Sequence, residues 1–429
     1  MSMRHSIYFH IPFCMHRCAY CDFNTYADQG KYLAAYVVAL RREIEYLGER
    51  APIDLTAHTI FFGGGTPSLL SHSQVRGVLR ALRGAIAVEE GVEITLEANP
   101  GTLSEPALQG MREAGVNRLS LGVQSANGEE LRLLERTHSF LDVLNAVTMA
   151  RRAGFDNLNM DLIFGLPGQS MWAWQETVKR VLAVRPEHIS AYALTLEHGT
   201  PFGQWSKRGL MVEPDADLAA DMYEWLSDVL ASQGYAQYEI SNWALRGREC
   251  VHNLQYWRGQ PYLGLGAGAH GYAGGYRYSN ALGIRDYIER LGGPVPDQRS
   301  GNIAVAPSTM KLTETQSAFP CSPASVNFHR QTTNDDMSEF MIMGLRLTRE
   351  GISAREFLNR FGVVLDERFG NPLAGLERLG LIERARTEGL PEAAHKRAGG
   401  AASEIVVRLT PRGRLLGNRV FAEFVEPAA

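Results

Sequence analysis

Cysteine is scarce in this chain, with five in 429 residues. That scarcity excludes a disulfide-stapled secreted scaffold, and reduced thiols point to the cytoplasm. No apolar run reaches the length needed to span a bilayer, and the first residues lack the charged-then-apolar pattern of a secretory signal. Peripheral membrane association stays open. Neither sign of charge dominates: 43 Lys and Arg meet 47 Asp and Glu, a formal net charge of −4. Such a balance offers no general attraction to nucleic acid. What remains is ordinary in bulk. Hydrophobic residues make up 45% of the chain, enough for a sizeable core in two or three domains.

The scarce residue is also unevenly spread. Cys14, Cys18 and Cys21 fall in the stretch Tyr8-Phe9-His10-Ile11-Pro12-Phe13-Cys14-Met15-His16-Arg17-Cys18-Ala19-Tyr20-Cys21-Asp22-Phe23, spaced C-x3-C-x2-C. One short loop can turn three thiolates toward one point, and thiolates at this density favour soft metals and iron–sulfur clusters. A four-iron cubane needs four ligands, so three cysteines leave one iron open to a small molecule. Zinc is the rival, but a structural zinc site takes four protein ligands, usually from paired C-x2-C units. Three buried structural cysteines are the plainer alternative, disfavoured because cysteine is rare elsewhere. Cys250 and Cys321 read as ordinary thiols.

Short β-rich runs at Ser6–His10, Thr59–Phe62, Val92–Glu97, Arg118–Leu121, Leu158–Phe164 and Ile189–Leu194 alternate with amphipathic stretches. These are Lys31–Leu47, Ser73–Ile86, Glu105–Ala114, Leu141–Ala153 and Met171–Val184. Such alternation implies βαβ units and a parallel sheet. Six units in about 190 residues predict an α/β fold with a partial (β/α)6 barrel, since a full barrel takes ~250. The expected organisation is a barrel over 1–235, a flanking segment over 236–293, a linker or inserted loop over 294–336, and a C-terminal domain over 337–429. The linker is rich in Ser, Thr, Pro and Asn, poor in pattern, and expected to be partly disordered. In the last segment, helices at Glu339–Leu347, Ser353–Phe361 and Pro372–Leu379 precede strands at Leu381–Ala385 and Glu404–Leu409. A final helix begins at Pro411. The order predicts a winged-helix-like domain, with Arg386–Ser403 as the wing tip and no basic recognition helix for DNA.

In barrels the functional groups gather at strand ends. The second strand ends in Gly63-Gly64-Gly65-Thr66-Pro67, where missing β-carbons let the backbone approach a ligand. The third ends at Glu97-Ala98-Asn99-Pro100 and the fourth at Gly122-Val123-Gln124-Ser125, followed by Arg136-Thr137-His138. Asp161 lies inside an otherwise apolar strand, which is costly unless it is paired and so marks a polar pocket. Further on, Cys250-Val251-His252-Asn253-Leu254-Gln255-Tyr256-Trp257 precedes the glycine-dense run 264–271, where a flat ligand or another backbone can lie close.

The C-x3-C-x2-C loop resembles that of the radical S-adenosylmethionine (SAM) superfamily, in which the open iron of a [4Fe–4S] cluster chelates SAM. There, one electron splits SAM into methionine and a 5′-deoxyadenosyl radical. By that resemblance Cys14, Cys18 and Cys21 hold the cluster. Tyr8, Gly64, Gly65, Thr66, Glu97, Gln124, Arg136 and Asp161 would contact SAM, with the Arg136 guanidinium suited to its carboxylate. The Tyr-x-His-Ile-Pro-Phe-Cys and Tyr20-Cys21-Asp22-Phe23 flanks are similar to the branch that holds oxygen-independent coproporphyrinogen III oxidases and HemW-type heme chaperones. Three features separate the two. The oxidases carry a further cysteine where Phe23 stands, and an N-terminal extension ahead of the motif that begins here at Tyr8. Residues 252–257 match the HNxxYW motif associated with heme in the chaperones. His252 is the expected axial ligand, Cys250 its competitor, with Tyr256 and Trp257 as apolar faces for the macrocycle. The expectation is therefore a heme carrier on a radical SAM scaffold. Its partners would be an electron donor for the cluster and heme-accepting hemoproteins, those of the respiratory chain among the candidates. Decarboxylation of coproporphyrinogen propionates is the alternative.

Overall fold

Apolar residues predominate in the strand runs between residues 6 and 194, as strands packed on both faces require, with polar residues recurring two apart on several of them. In the computed structural model of the chain, residues 3–296, 303–305, 319–386 and 405–425 are described. Six parallel strands follow the expected order: β1 (Met3–Ile11), β2 (Leu55–Gly64), β3 (Ala87–Ala98), β4 (Arg118–Gln124), β5 (Leu158–Phe164) and β6 (His188–Ala193). The helices between them are α1 (Leu33–Gly48), α2 (His72–Ala85), α3 (Glu105–Ala114), α4 (Gly128–Leu133), α5 (Phe140–Arg152) and α6 (Met171–Ala183). Short polar residues set where these helices begin. Ser71 and Gln74 form a reciprocal capping box on α2, and Ser139 and Asp142 form another on α5. Ser104 caps α3, which ends at Gly115 in the left-handed region. After β6 come α7 (Pro201–Lys207) and α8 (Ala216–Ser232). The expected six-unit partial barrel is present.

The chain divides into two compact units, residues 1–226 with 261–330, and residues 227–260 with 331–429. In the first unit the sheet continues past β1. Tyr262–Leu265 (β7) pairs parallel with β1, so that Ser6 faces Tyr262. Antiparallel strands His270–Ala273 (β8), Tyr276–Asn280 (β9) and Ser325–Arg330 (β10) follow in that order. The glycine-dense run is thus a tight strand junction, and its closeness is to the chain itself. A β-carbon on Gly264 would lie 1.8 Å from the His270 carbonyl oxygen, and one on Gly271 would lie 2.2 Å from the Tyr278 ring. Below this extension sits a buried carboxylate. Glu43 of α1 accepts hydrogen bonds from Gly266 N (2.9 Å), Asn280 Nδ2 (2.8 Å), Tyr287 Oη (2.6 Å) and Ser322 Oγ (2.8 Å). Tyr287 belongs to α10 (Ile284–Arg290).

The expected linker 294–336 is only partly a linker. Pro294–Pro296 pairs with Ile303–Val305, Ser325–Arg330 is β10, and Cys321, Ser322 and Ala324 are buried. Pattern alone missed β10 because it alternates weakly, as an edge strand partnered on one side can. Residues 297–302 and 306–318 lie outside the described residues.

In the second unit, Ala236–Glu239 and Asn242–Ala244 form a short hairpin. It is accompanied by α9 (Val251–Trp257), α11 (Thr333–Gly344), α12 (Ala354–Phe361) and α13 (Leu365–Arg378). Strands β11 (Ile352–Ser353), β12 (Ile382–Arg386) and β13 (Ile405–Leu409) make a small antiparallel sheet with β13 central. Phe340, Met341, Phe357, Phe369, Leu373, Val407 and Phe424 fill the core of this winged-helix-like domain. The helix expected over Pro372–Leu379 is the second half of α13, with Pro372 in its first turn, and a helical segment from Leu365 precedes it. The two are separated by a break at Phe369, so the proline costs no helical hydrogen bond. The expected wing tip falls almost wholly on 387–404, outside the described residues.

Candidate functional site

At the end of β1, Pro12 breaks the strand and Phe13 anchors the departing loop, its ring edge-on to Tyr36 at 5.2 Å. The Gly63–Pro67 turn at the end of β2 is stitched to this loop by two backbone bonds, Gly65 N to Ile11 O (2.9 Å) and Thr66 N to Phe13 O (2.8 Å). Only glycine fits at 65. A β-carbon there would come within 2.6 Å of Phe13 O and 3.1 Å of Cys14 Sγ. Gly64 takes φ +111° with the His10 ring against it, and also allows no side chain.

The three thiols are partly exposed on the loop. Thr66 Oγ1 donates to Cys14 Sγ at 3.7 Å, Arg136 Nη1 donates to Cys18 Sγ at 3.7 Å, and Cys21 Sγ lies 3.8 Å from Thr25 Oγ1. Burial pushes the Cys14 and Cys18 thiols up, and the cysteines raise one another in turn. Thr66 pulls the Cys14 thiol and Arg136 the Cys18 thiol the other way. Among the described residues no three His, Cys, Asp or Glu side chains converge on a single ion.

Deeper in the same mouth, Tyr8 and His10 form a relay. The His10 Nε2 is 2.9 Å from the Asn24 carbonyl and must donate to it, so Nδ1 accepts from the Tyr8 hydroxyl at 3.0 Å. Burial holds the imidazole neutral, as this tautomer requires. From β3, the partly buried Glu97 carboxylate accepts from Gly64 N at 3.0 Å. Burial, and then the charge of Asp161, pushes its pKa up to about 8. Asp161 of β5 accepts from Ser120 Oγ (2.9 Å) and Asn159 Nδ2 (2.8 Å), while Asn159 Oδ1 is 2.6 Å from the buried His188. The unpaired-aspartate cost is thereby met within the sheet.

Gln124 closes β4 with φ +65° beside a register shift. Its amide and the Arg136 guanidinium both press on the space above Gly122, 3.0 and 3.1 Å from where a β-carbon would be. Arg136 Nη2 donates to Gly122 O at 2.8 Å, whereas its Nε is buried with no partner. An orphaned, buried N–H on a cation is what an absent anionic ligand would satisfy. The structure thus brings Tyr8, Gly64, Gly65, Thr66, Glu97, Gln124, Arg136, Asp161 and the three cysteines to one end of one sheet.

His252 is not among them. It lies in the second unit on α9, is 1% exposed, and its Nε2 is 2.9 Å from Tyr256 Oη. Trp257 is covered by the Arg346 guanidinium at 4.3 Å, and Cys250 is buried. The expected free imidazole between two apolar faces is instead a closed arrangement, and coordination through Nε2 requires Tyr256 to give way. Sequence reading missed His10, Asn159, His188 and Ser190, whose Oγ donates to Asn159 Oδ1 at 3.1 Å. The signal was there, in polar residues two apart on central strands that packing alone would make apolar.

Residues 8–181 match the family described as the radical SAM superfamily, and residues 331–387 match the HemN C-terminal domain. The heme chaperone HemW of Bacillus subtilis is 36% identical over 98% of this chain and 99% of its own length. HemW of Lactococcus lactis is 34% identical over 98% and 97%. Among solved structures, coproporphyrinogen III oxidase (HemN) from Escherichia coli, a radical SAM enzyme, superposes with a TM-score of 0.75 at 23% identity, covering 99% of this chain and 90% of that one. That likeness concerns the fold alone.

Proposed function

Because the chain belongs to the HemW family of radical SAM proteins, we propose that it is a heme carrier: it binds heme and hands it to hemoproteins. The family implies a [4Fe–4S] cluster and SAM. In this reading Cys14, Cys18 and Cys21 ligate the cluster, and Tyr8, Gly64, Gly65, Thr66, Glu97, Gln124, Arg136 and Asp161 line the SAM site. The observation that carries it is the orphaned Arg136 Nε beside a three-thiol loop sealed to a glycine turn. Bound there, SAM and the reduced cluster would supply one-electron chemistry. The residues themselves do simpler work. Arg136 neutralises a carboxylate, Gly64 and Gly65 admit a ligand to backbone distance, and Glu97 offers a carboxyl beside the glycine turn.

His252 is the proposed axial ligand of heme, released when Tyr256 turns away. Phe23 stands where the oxidases have a further cysteine, and its ring is 68% exposed; this favours the carrier over the oxidase. Among the described residues no helix is long and apolar enough to cross a membrane. We place the protein in the cytoplasm, with an external electron donor and hemoproteins as partners.

The test is anaerobic reconstitution followed by separate titrations with SAM and heme, and an assay with coproporphyrinogen III under reducing conditions. Tight heme binding without protoporphyrinogen IX is expected. Protoporphyrinogen IX formed at turnover, with SAM consumed in step, would overturn the carrier reading.

A further inference from the structure

His138 stands two residues beyond Arg136 and so far has no part in the site. The α4 helix closes in a Schellman turn, with Glu135 at φ +53°, Glu135 N on Arg132 O (3.0 Å) and Arg136 N on Leu131 O (2.8 Å). The reciprocal cap of Ser139 and Asp142 then starts α5. Between these two fixed points the chain grips the end of β4 twice. Arg136 Nη2 donates to Gly122 O at 2.8 Å, and His138 Nε2 donates to Val123 O at 3.1 Å. His138 is 4% exposed, and its Nδ1 has no hydrogen-bond partner among the described residues. Burial, and then the Arg136 charge, lowers its pKa to about 4, which leaves a neutral ring with its one proton on Nε2.

The backbone held in this way is unusual. Ser125 N returns to Val123 O at 2.8 Å across Gln124, whose φ is +65°, so residues 123–125 form a γ-turn of the rare positive-φ kind. The pairing of β4 with β5 shifts register at the same place. A glutamine gains nothing locally from a positive φ, so its surroundings must hold it there. Val123 O accepts from both Ser125 N and His138 Nε2, and relaxing the turn would strand both donors in a buried place. Packing alone does not call for a histidine here, since an apolar side chain would fill the space without burying an unpaired Nδ1.

We propose that His138 is a positioning residue: its Nε2–H, bonded to Val123 O, holds the strained turn that presents the Gln124 amide to SAM. The inference rests on the reading of Gln124 as a SAM contact. Without that bond the Val123 carbonyl can rotate and the Gln124 φ can relax toward negative values. The amide then leaves the space above Gly122 that it shares with the Arg136 guanidinium. Arg136 keeps its own bond to Gly122 O, so the loss falls on Gln124 alone.

The experiment has two arms. SAM affinity is measured by isothermal titration calorimetry on reconstituted protein of known iron content. Hydrogen exchange of the segment 122–127 is followed by mass spectrometry on the cluster-free protein, so it stands even where a variant takes up no iron. His138→Gln and His138→Asn both fill the place with an amide, but only the glutamine reaches the position of Nε2. His138→Asn should weaken SAM binding roughly two- to tenfold, the size of one lost hydrogen bond, and should speed exchange of the segment. His138→Gln should stay near wild type in both arms. In a Gln124→Ala background, His138→Asn should add less than about a twofold loss, because the two residues act as one. Ser104→Ala, which removes the cap of α3, controls for general destabilisation. Unchanged affinity in His138→Asn at full iron content would overturn the proposal, as would equal losses in the asparagine and glutamine variants. A His138→Asn loss undiminished without the Gln124 amide, or matched by Ser104→Ala, would overturn it too. A wild type that holds its cluster but binds no SAM would instead refute the SAM site. Exchange in His138→Asn as slow as in wild type would then still show that His138 does not hold the turn.

Discussion

At the scale of single residues, the site is a set of partly buried polar groups whose proton affinities the fold shifts. Glu97 illustrates the consequence. Its pKa rises on folding from 4.5 to about 8, so the unfolded chain loses this proton at lower pH than the folded one. Its contribution to stability is full below about pH 4.5 and is lost as pH rises through the folded pKa. The cluster-free protein should therefore need less urea to unfold at pH 8 than at pH 5. Asp161 and Glu43 are shifted in the same direction by burial, so Glu97→Gln should make that slope shallower without abolishing it. An identical slope would show that Glu97 is ionised in the folded state. The cysteine spacing and the aspartate within an apolar strand were readable from sequence because both break the background composition. His10 was not, since a histidine beside a motif looks the same whether it packs or bonds a neighbouring tyrosine.

Among elements, the two glycines most informative by contrast are Gly65 and Gly77. Gly65→Ala forces a methyl into Phe13 O, Ile11 O and Cys14 Sγ. We expect a severalfold loss of iron uptake on reconstitution, with the far-ultraviolet dichroism unchanged. Gly77 lies inside α2 with nothing within 4 Å of its missing β-carbon. Gly77→Ala should stabilise the protein by about 0.5–1 kcal/mol in urea denaturation. Uptake undiminished in Gly65→Ala would mean that the loop and the turn separate freely. The six βα units were legible because apolar runs and helix periods alternate cleanly from Ser6 to Ala193. Strands β7 to β10 were not. β7 and β8 are glycine-rich, so periodicity is weak, and β7 pairs with a strand at the other end of the sequence. Glu43 was hidden for a related reason, as a carboxylate on the apolar face of α1 whose partners come from residues 266–322.

For the whole molecule, the expected cofactors fall in different units, and their losses should be separable. His252→Ala should weaken heme binding and shift the Soret band while the protein still takes up roughly four irons per chain. Cys14→Ala should remove the brown cluster absorbance. Heme binding unaffected by His252→Ala, with Cys250→Ala destroying it, would move the ligand to the thiol. The C-x3-C-x2-C loop pointed to the cluster and the resemblance of residues 252–257 to HNxxYW pointed to heme, but neither showed the Tyr256 contact on His252, which depends on how α9 is packed.

The pairing of Ser6 with Tyr262 also bears on biosynthesis. The strand that carries the cysteine loop leaves the ribosome first, yet its second neighbour emerges only after more than half the chain has been made. At about 5–20 residues per second, that interval is on the order of tens of seconds. Through that time β1 has one open edge, and the loop has none of its Ala267 and Leu282 carbonyl anchors for Asn24. Iron–sulfur insertion therefore belongs after translation has passed residue 282. A nascent chain arrested upstream of that point should accept no cluster, whereas one arrested after β10 should.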